Sequence, residues 1–197
     1  MNFLAHIVLS GDQSKVMVGN FIGDFVKGRN LSDRFEPEVV TGIELHRGID
    51  EFTDDHAVVM ESKSRLRAKY RHYAPVIVDV FYDHFLAKEW SFYHKLPLDA
   101  FAKQTYDTLY RFKNILPEDV MQMLPYMTHG NWLLNYSKVE GIQRTLTGMS
   151  RRTKFDSKMD ESVDDLREHY EAFQKEFEQF FPQLQKFSAD FLTSRKH

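Results

Sequence analysis

Between Pro75 and Trp90 the chain carries Val76, Ile77, Val80, Phe81, Phe85 and Leu86, a spacing that makes most of a helix surface apolar. Such a helix belongs inside a fold, with other helices packed around it. It also carries Asp79, Asp83 and His84. Burying a lone carboxylate is costly unless it is protonated, paired or bound to a metal. The same stretch therefore predicts a central helix and a polar arrangement that meets the needs of its charged residues.

The rest of the chain reads as helix in pieces. Asn2 is placed to cap a short first helix through about Leu9, and Gly11-Asp12-Gln13-Ser14 breaks it. A second helix is expected from about Lys15 to Val26, closed by Gly28 in a left-handed C-cap. Pro37 opens a third, with its missing amide at the first turn, and that helix carries Val39, Val40, Ile43, Ile49 and Phe52. A basic helix follows from about Ala57 to Tyr70. Pro97, Pro117 and Pro125 punctuate later pieces, one helix is expected from Asn131 to about Met149, and a last one from about Glu161 to Leu192 with a kink near Pro182. No segment shows strand alternation. The prediction is all-α, one domain over residues 1–197.

Composition narrows the function. The chain has 197 residues, 42% of them hydrophobic and 28% charged, as in ordinary globular domains. It has no cysteine, which removes disulfides, thiolate nucleophiles and cysteine-held zinc together. A net charge of -3 gives no global signal for nucleic acid as a partner. The N-terminus has no basic segment before its apolar run, which His6 interrupts, and no window approaches the roughly 18 apolar residues of a membrane helix. The expectation is a cytoplasmic protein with no membrane association.

His46 and Asp50 lie four residues apart, so a helix projects both from one face. An imidazole and a carboxylate so placed can hold a divalent ion or share a surface hydrogen bond. Asp79 and Asp83 repeat the spacing, two carboxylates that repel unless a cation or proton lies between them. Asp24 stands in the apolar run Phe21 to Val26, and His6 in Phe3 to Leu9, where a satisfied core histidine is the plainer reading. Arg47 either forks onto a phosphate or pairs with an acid. Imidazoles and carboxylates without thiolate suit Mn²⁺, and Mg²⁺ and Fe²⁺ as well. Walker, nucleophile-elbow and zincin motifs are all missing. Metal-assisted hydrolysis of a phosphoester is the leading reaction class.

Several motifs together resemble the acyl carrier protein phosphodiesterase family. They are Met1-Asn2-Phe3-Leu4-Ala5-His6, Gly19-Asn20 with Gly23-Asp24-Phe25-Val26-Lys27-Gly28, and Val40 to Asp50. Phe52-Thr53-Asp54, Asp79 to Leu86, Trp90, Gly141-Ile142-Gln143, Leu146 and Gly148-Met149-Ser150-Arg151-Arg152 complete the match. The resemblance implies a helical fold distantly related to HD-type phosphohydrolases, use of Mn²⁺, and release of 4′-phosphopantetheine from a serine of acyl carrier protein. It marks Asp24 as essential and places His6, His46, Asp50, Asp83 and His84 in matching motifs; reading these five and Asp24 as metal ligands is an inference from their residue types. Gly48 departs from the pattern, where a larger residue is expected, which bears on substrate contacts.

Acyl carrier proteins are acidic, so a binder should present a basic face. Lys63, Arg65, Arg67, Lys69 and Arg71 form one cluster, and Arg144, Arg151, Arg152, Lys154 and Lys158 another. The expected partner contacts are Arg65, Arg67, Lys69, Arg151 and Arg152. Two rival readings share the same residues: an HD-like hydrolase of nucleotides or other small phosphoesters, and a non-catalytic adaptor that docks carrier protein.

Overall fold

The computed structural model describes residues 1–195, and its regular elements are all helical among the described residues. In chain order these are α1 (Phe3–Val8), α2 (Ser14–Phe21), α3 (Pro37–Asp55), α4 (Ala57–Tyr70), α5 (Ala74–Lys88) and α6 (Trp90–Tyr93). Then come α7 (Leu98–Arg111), α8 (Glu118–His129), α9 (Trp132–Asn135), α10 (Val139–Ser150), α11 (Ser162–Glu168) and α12 (Tyr170–Ser194). No helix among them is long and apolar enough to cross a membrane.

The apolar helix is central as its sequence demands. Helix α5 packs against α1, α4, α10 and α12, and buries Ile77, Val80, Phe81, Phe85 and Leu86 completely. Helix α12 answers with Phe173, Phe177, Phe180, Phe181 and Leu184, all inaccessible to solvent. The rings meet edge-on, as between Phe81 and Phe173 (5.2 Å) and between Tyr82 and Phe177 (5.6 Å), the arrangement their quadrupoles favour.

Helices α2 and α3 form the closest pair, and two glycines make that approach possible. A Cβ on Gly19 would lie 2.1 Å from the Val39 carbonyl oxygen, and one on Gly42 the same 2.1 Å from the Val16 oxygen. The two backbones therefore touch. This contact brings Asn20 of α2 to His46 of α3.

Several features differ from the sequence reading, among them Pro125, which lies inside α8 instead of ending a helix. The second helix ends at Phe21 and passes into a 3₁₀ turn over Gly23–Phe25, so Gly28, although at φ +94°, does not cap it. Asn2 occupies the N-cap of α1 but makes no capping bond; its amide donates to the Tyr136 hydroxyl (3.2 Å). The segment expected as one helix from Asn131 divides into α9 and α10, because the end of α9 folds against Gly141, where any Cβ would lie 1.9 Å from the Asn135 oxygen. The last helix divides at His169, while α12 runs on through Pro182 without interruption, anchored by buried Phe180, Phe181 and Leu184.

Candidate metal centre

The α2–α3 contact and the start of α1 place His6, His46 and Asp50 together, with one ligand-capable atom of each within 4.8 Å of the others. Both imidazoles are buried and Asp50 is half-buried. The rings stack with centroids 4.0 Å apart and planes 18° from parallel.

Asn20 orients both rings. The His46 Nδ1–H donates to the Asn20 backbone carbonyl (2.8 Å), which can only accept, so that nitrogen carries a proton. The Asn20 amide nitrogen donates to the His6 carbonyl (2.7 Å) and to Ser10 Oγ (2.9 Å). Its oxygen therefore accepts, and the His6 Nδ1–H donates to it (2.9 Å). With both Nδ1 atoms protonated, both Nε2 lone pairs are turned to the centre.

What they meet there is oxygen. His46 Nε2 faces Asp24 Oδ1 and Asp50 Oδ2, each at 3.1 Å. His6 Nε2 faces the Met1 carbonyl oxygen at 3.0 Å and Asp50 Oδ1 at 3.2 Å. Lone pairs directed at carboxylates repel unless a proton or cation lies between them. Burial alone would lower the pKa of His46, but Asp24 and Asp50 overcome it and hold the ring at about 9. Burial, with His46 beside it, pushes His6 down to about 4. Beyond its two Nδ1 protons the stacked pair thus carries one more, on His46 Nε2, which leaves His6 Nε2 facing two acceptors with nothing to give. A divalent ion bound by His6, His46 and Asp50 removes all of these conflicts at once, so the donor set fits a metal.

The carboxylates answer to the imidazoles. Burial works to raise the Asp50 pKa, yet the His46 imidazolium, the His6 ring and the Met1 ammonium beside it outweigh burial and hold the acid far below the usual carboxylate range. Asp24 is lowered chiefly by its bond to His46 and stands 70% exposed at the rim. The Met1 α-amine lies 3.2 Å from Asp79 and 3.4 Å from Asp50. It supplies the cation that the Asp79–Asp83 spacing requires.

Asp83 and His84, expected among the ligands, stand apart from this group. Asp83 is fully buried and accepts from the Leu4 and Ala5 amides at 2.7 and 3.1 Å, which caps α1 from outside the helix. His84, next along α5 and so turned about 100° away, uses Nδ1 on the Tyr136 carbonyl and Nε2 on the Tyr170 hydroxyl, each at 2.8 Å. Both of its nitrogens are committed.

Arg47 differs as well. Its Nη2 donates to the Val26 and Gly28 carbonyls at 3.2 and 2.9 Å, which ties down the loop after Asp24. These bonds hold that loop against α3. Gly48 faces the last helix, where a Cβ would lie 3.1 Å from Phe187, so its small size serves packing. Of the first basic cluster, Arg65 grips Glu176 with both nitrogens (2.6 and 2.9 Å) and lies over the Phe173 ring. Lys63 pairs with Asp54 (2.6 Å) and Lys69 with Asp165 (3.1 Å) and Glu161 (3.5 Å), which leaves Arg67 and Arg71 as the unpaired exposed members among the described residues. Arg151 and Arg152 are exposed and form no ion pair among the described residues.

The sequence reading attached no chemistry to Asn20 or Gly23. Asn20 is a polar residue inside apolar Val16 to Phe21 and is fully buried, a signal of the same kind that marked Asp83. A Cβ on Gly23 would lie 2.2 Å from His46 Cγ, so the ring lies flat on that backbone.

The acyl carrier protein phosphodiesterase family model matches residues 1–184. This chain belongs to that family. An acyl carrier protein phosphodiesterase of Klebsiella pneumoniae (strain 342) is 36% identical over 188 residues, 94% of this chain and 96% of the relative. One from Escherichia coli O139:H28 (strain E24377A / ETEC) is 37% identical over 186 residues, 93% and 95% of the two chains. No solved structure matches the chain. Family membership and the converging Nε2 atoms rest on independent observations.

Proposed function

We propose that this chain is a divalent-metal phosphodiesterase that releases the 4′-phosphopantetheine arm from the serine of acyl carrier protein. The single observation that carries the metal reading is the pair of Nε2 atoms turned onto Asp50 by Asn20. Family membership supports the carrier-protein substrate. His6, His46, Asp50 and Asp24 would hold the ion, with Mn²⁺ favoured and Mg²⁺ or Fe²⁺ compatible with the same donors. When bound there, the ion acidifies a water and draws charge from the phosphoryl oxygens.

The protein's own groups divide the remaining work. Asn20 fixes both imidazole tautomers, so the ligand atoms need no rearrangement. Asp24, ionised and exposed at the rim, completes the ligand set or accepts a hydrogen bond from the attacking water. Water adds to phosphorus, the bond to the carrier serine breaks, and the serine hydroxyl and the free phosphopantetheine are the products.

Arg151 and Arg152 are the docking cations of this reading, joined by Lys154 and by Phe155, whose side chain is 66% exposed. Lys154 stands over that ring at 5.8 Å. Cations around one exposed aromatic suit an acidic helix with an apolar face, steering its approach and anchoring it.

Intact-mass spectrometry of holo-acyl carrier protein incubated with the protein and Mn²⁺ tests the reading. Conversion to the apo mass, stopped by a chelator, is expected. An unchanged carrier beside rapid hydrolysis of free nucleotide phosphoesters would replace it with the small-phosphoester reading.

A further inference from the structure

A pocket of about 830 Å³ opens between the start of α1, the turn after Asp24 and helices α8, α9 and α10, a volume in the range of small-molecule sites. Its walls include Phe3, Phe25, Met123, Trp132 and Met149. Two of these adjoin the centre's residues in the chain: Phe3 begins the helix that carries His6, and Phe25 follows Asp24. A chain attached to a phosphodiester held at Asp24 would run past these two rings into the pocket. Arg144 and Arg152, both exposed, stand on its wall, and Arg152 is also part of the docking patch. Asp119 is the one acid lining it.

We propose that this pocket takes a fatty acyl chain carried on the thiol of the prosthetic arm, and that Gly148 sets the chain length it admits. The proposal rests on the carrier-protein reading above. Aromatic and thioether surfaces are suited to methylene groups, and methionines adapt their shape to chains of different length. The two arginines match an acidic carrier and the phosphate that tethers the arm. Gly148 lines this pocket within α10, and a Cβ built on it meets nothing within 4 Å. The helix has no need of a glycine there, since a larger residue improves helix propensity. What its absence of side chain leaves is space inside the pocket.

Two measurements on the full chain with Gly148→Leu test this. In the first, kcat/KM is measured with decanoyl- and holo-acyl carrier protein, and the decanoyl-to-holo ratio is expected to fall at least tenfold in the variant. An unchanged ratio overturns the proposal. In the second, S-decanoyl-pantetheine is titrated against tryptophan emission. The chain has two tryptophans, Trp90 being buried in the core, so Trp132→Phe identifies the reporter. A saturable change lost in Trp132→Phe and weakened at least tenfold in Gly148→Leu is expected. No saturable change, or equal affinity in Gly148→Leu, overturns the pocket assignment. Failure of the wild type to hydrolyse any carrier form overturns the underlying reading instead, while the titration still judges the pocket.

Discussion

Replacing Asp83 separates a capping role from a ligand role. Its carboxylate accepts from the Leu4 and Ala5 amides at 2.7 and 3.1 Å, and no other residue takes those two bonds. Asp83→Ala leaves two buried donors unpaired, at about 1–3 kcal/mol each, or about 2–6 kcal/mol together. Relief from burying an acid offsets part of this. Asp83→Asn keeps one accepting oxygen, so about 1–3 kcal/mol is expected. Against a typical domain stability of about 5–15 kcal/mol, the alanine variant stands near the threshold of folding. Urea denaturation followed by far-UV circular dichroism should show a lower midpoint, Asp83→Ala below Asp83→Asn. Mn²⁺ affinity of folded Asp83→Asn should stay within a few fold of wild type. Wild-type stability combined with lost Mn²⁺ affinity would refute the capping argument and return Asp83 to the ligands.

The remaining predictions use the same geometry. Burial pushes the Asp83 carboxyl up to about 7, against about 3.9 in an unfolded chain. The folded state then retains a proton the unfolded state releases, so this contribution is complete below about pH 4 and is lost as pH rises through about 7. Wild-type stability minus that of Asp83→Asn, measured at several pH values, should fall across that window; a flat difference counts against the buried, protonated acid. Gly23→Ala should force the His46 ring off its seat, given a Cβ 2.2 Å from His46 Cγ, and weaken Mn²⁺ binding about 10- to 100-fold with helicity retained. Unaltered affinity would show that the ring has another resting place. Gly42→Ala drives a methyl into the Val16 carbonyl and should destabilise by about 1–3 kcal/mol or more, read as a lower thermal midpoint. Mn²⁺ at 100 times its Kd should stabilise wild type by about 2.7 kcal/mol and Asp50→Asn by much less.

Helical character was legible throughout the chain because each segment's apolar residues follow the helical period and proline or glycine marks most breaks. The central place of α5 followed from its all-round apolar surface. Division of the predicted helices at Phe21 and His169, and at the α9–α10 break, was not legible. The first and last of these breaks accompany close approaches, Gly23 against His46 and Gly141 against Asn135, that no local pattern announces. Within the site, the His46–Asp50 pair was readable from its spacing alone. His6 could not be told from a core histidine, because its role depends on Asn20, fourteen residues away. Asp83 and His84 carried the same burial signal as the proposed ligands. Their needs are met by the α1 amides and by Tyr136 and Tyr170, partners that only the folded chain brings near.

The most direct test of the central claim is Mn²⁺ binding, followed by electron paramagnetic resonance of the unbound ion, in wild type, His46→Asn and His84→Asn. The account predicts saturable binding in wild type, retained in His84→Asn and weakened at least tenfold in His46→Asn while the far-UV spectrum stays helical. Equal binding in wild type and His46→Asn, or none in either, would contradict a metal centre at His6, His46 and Asp50.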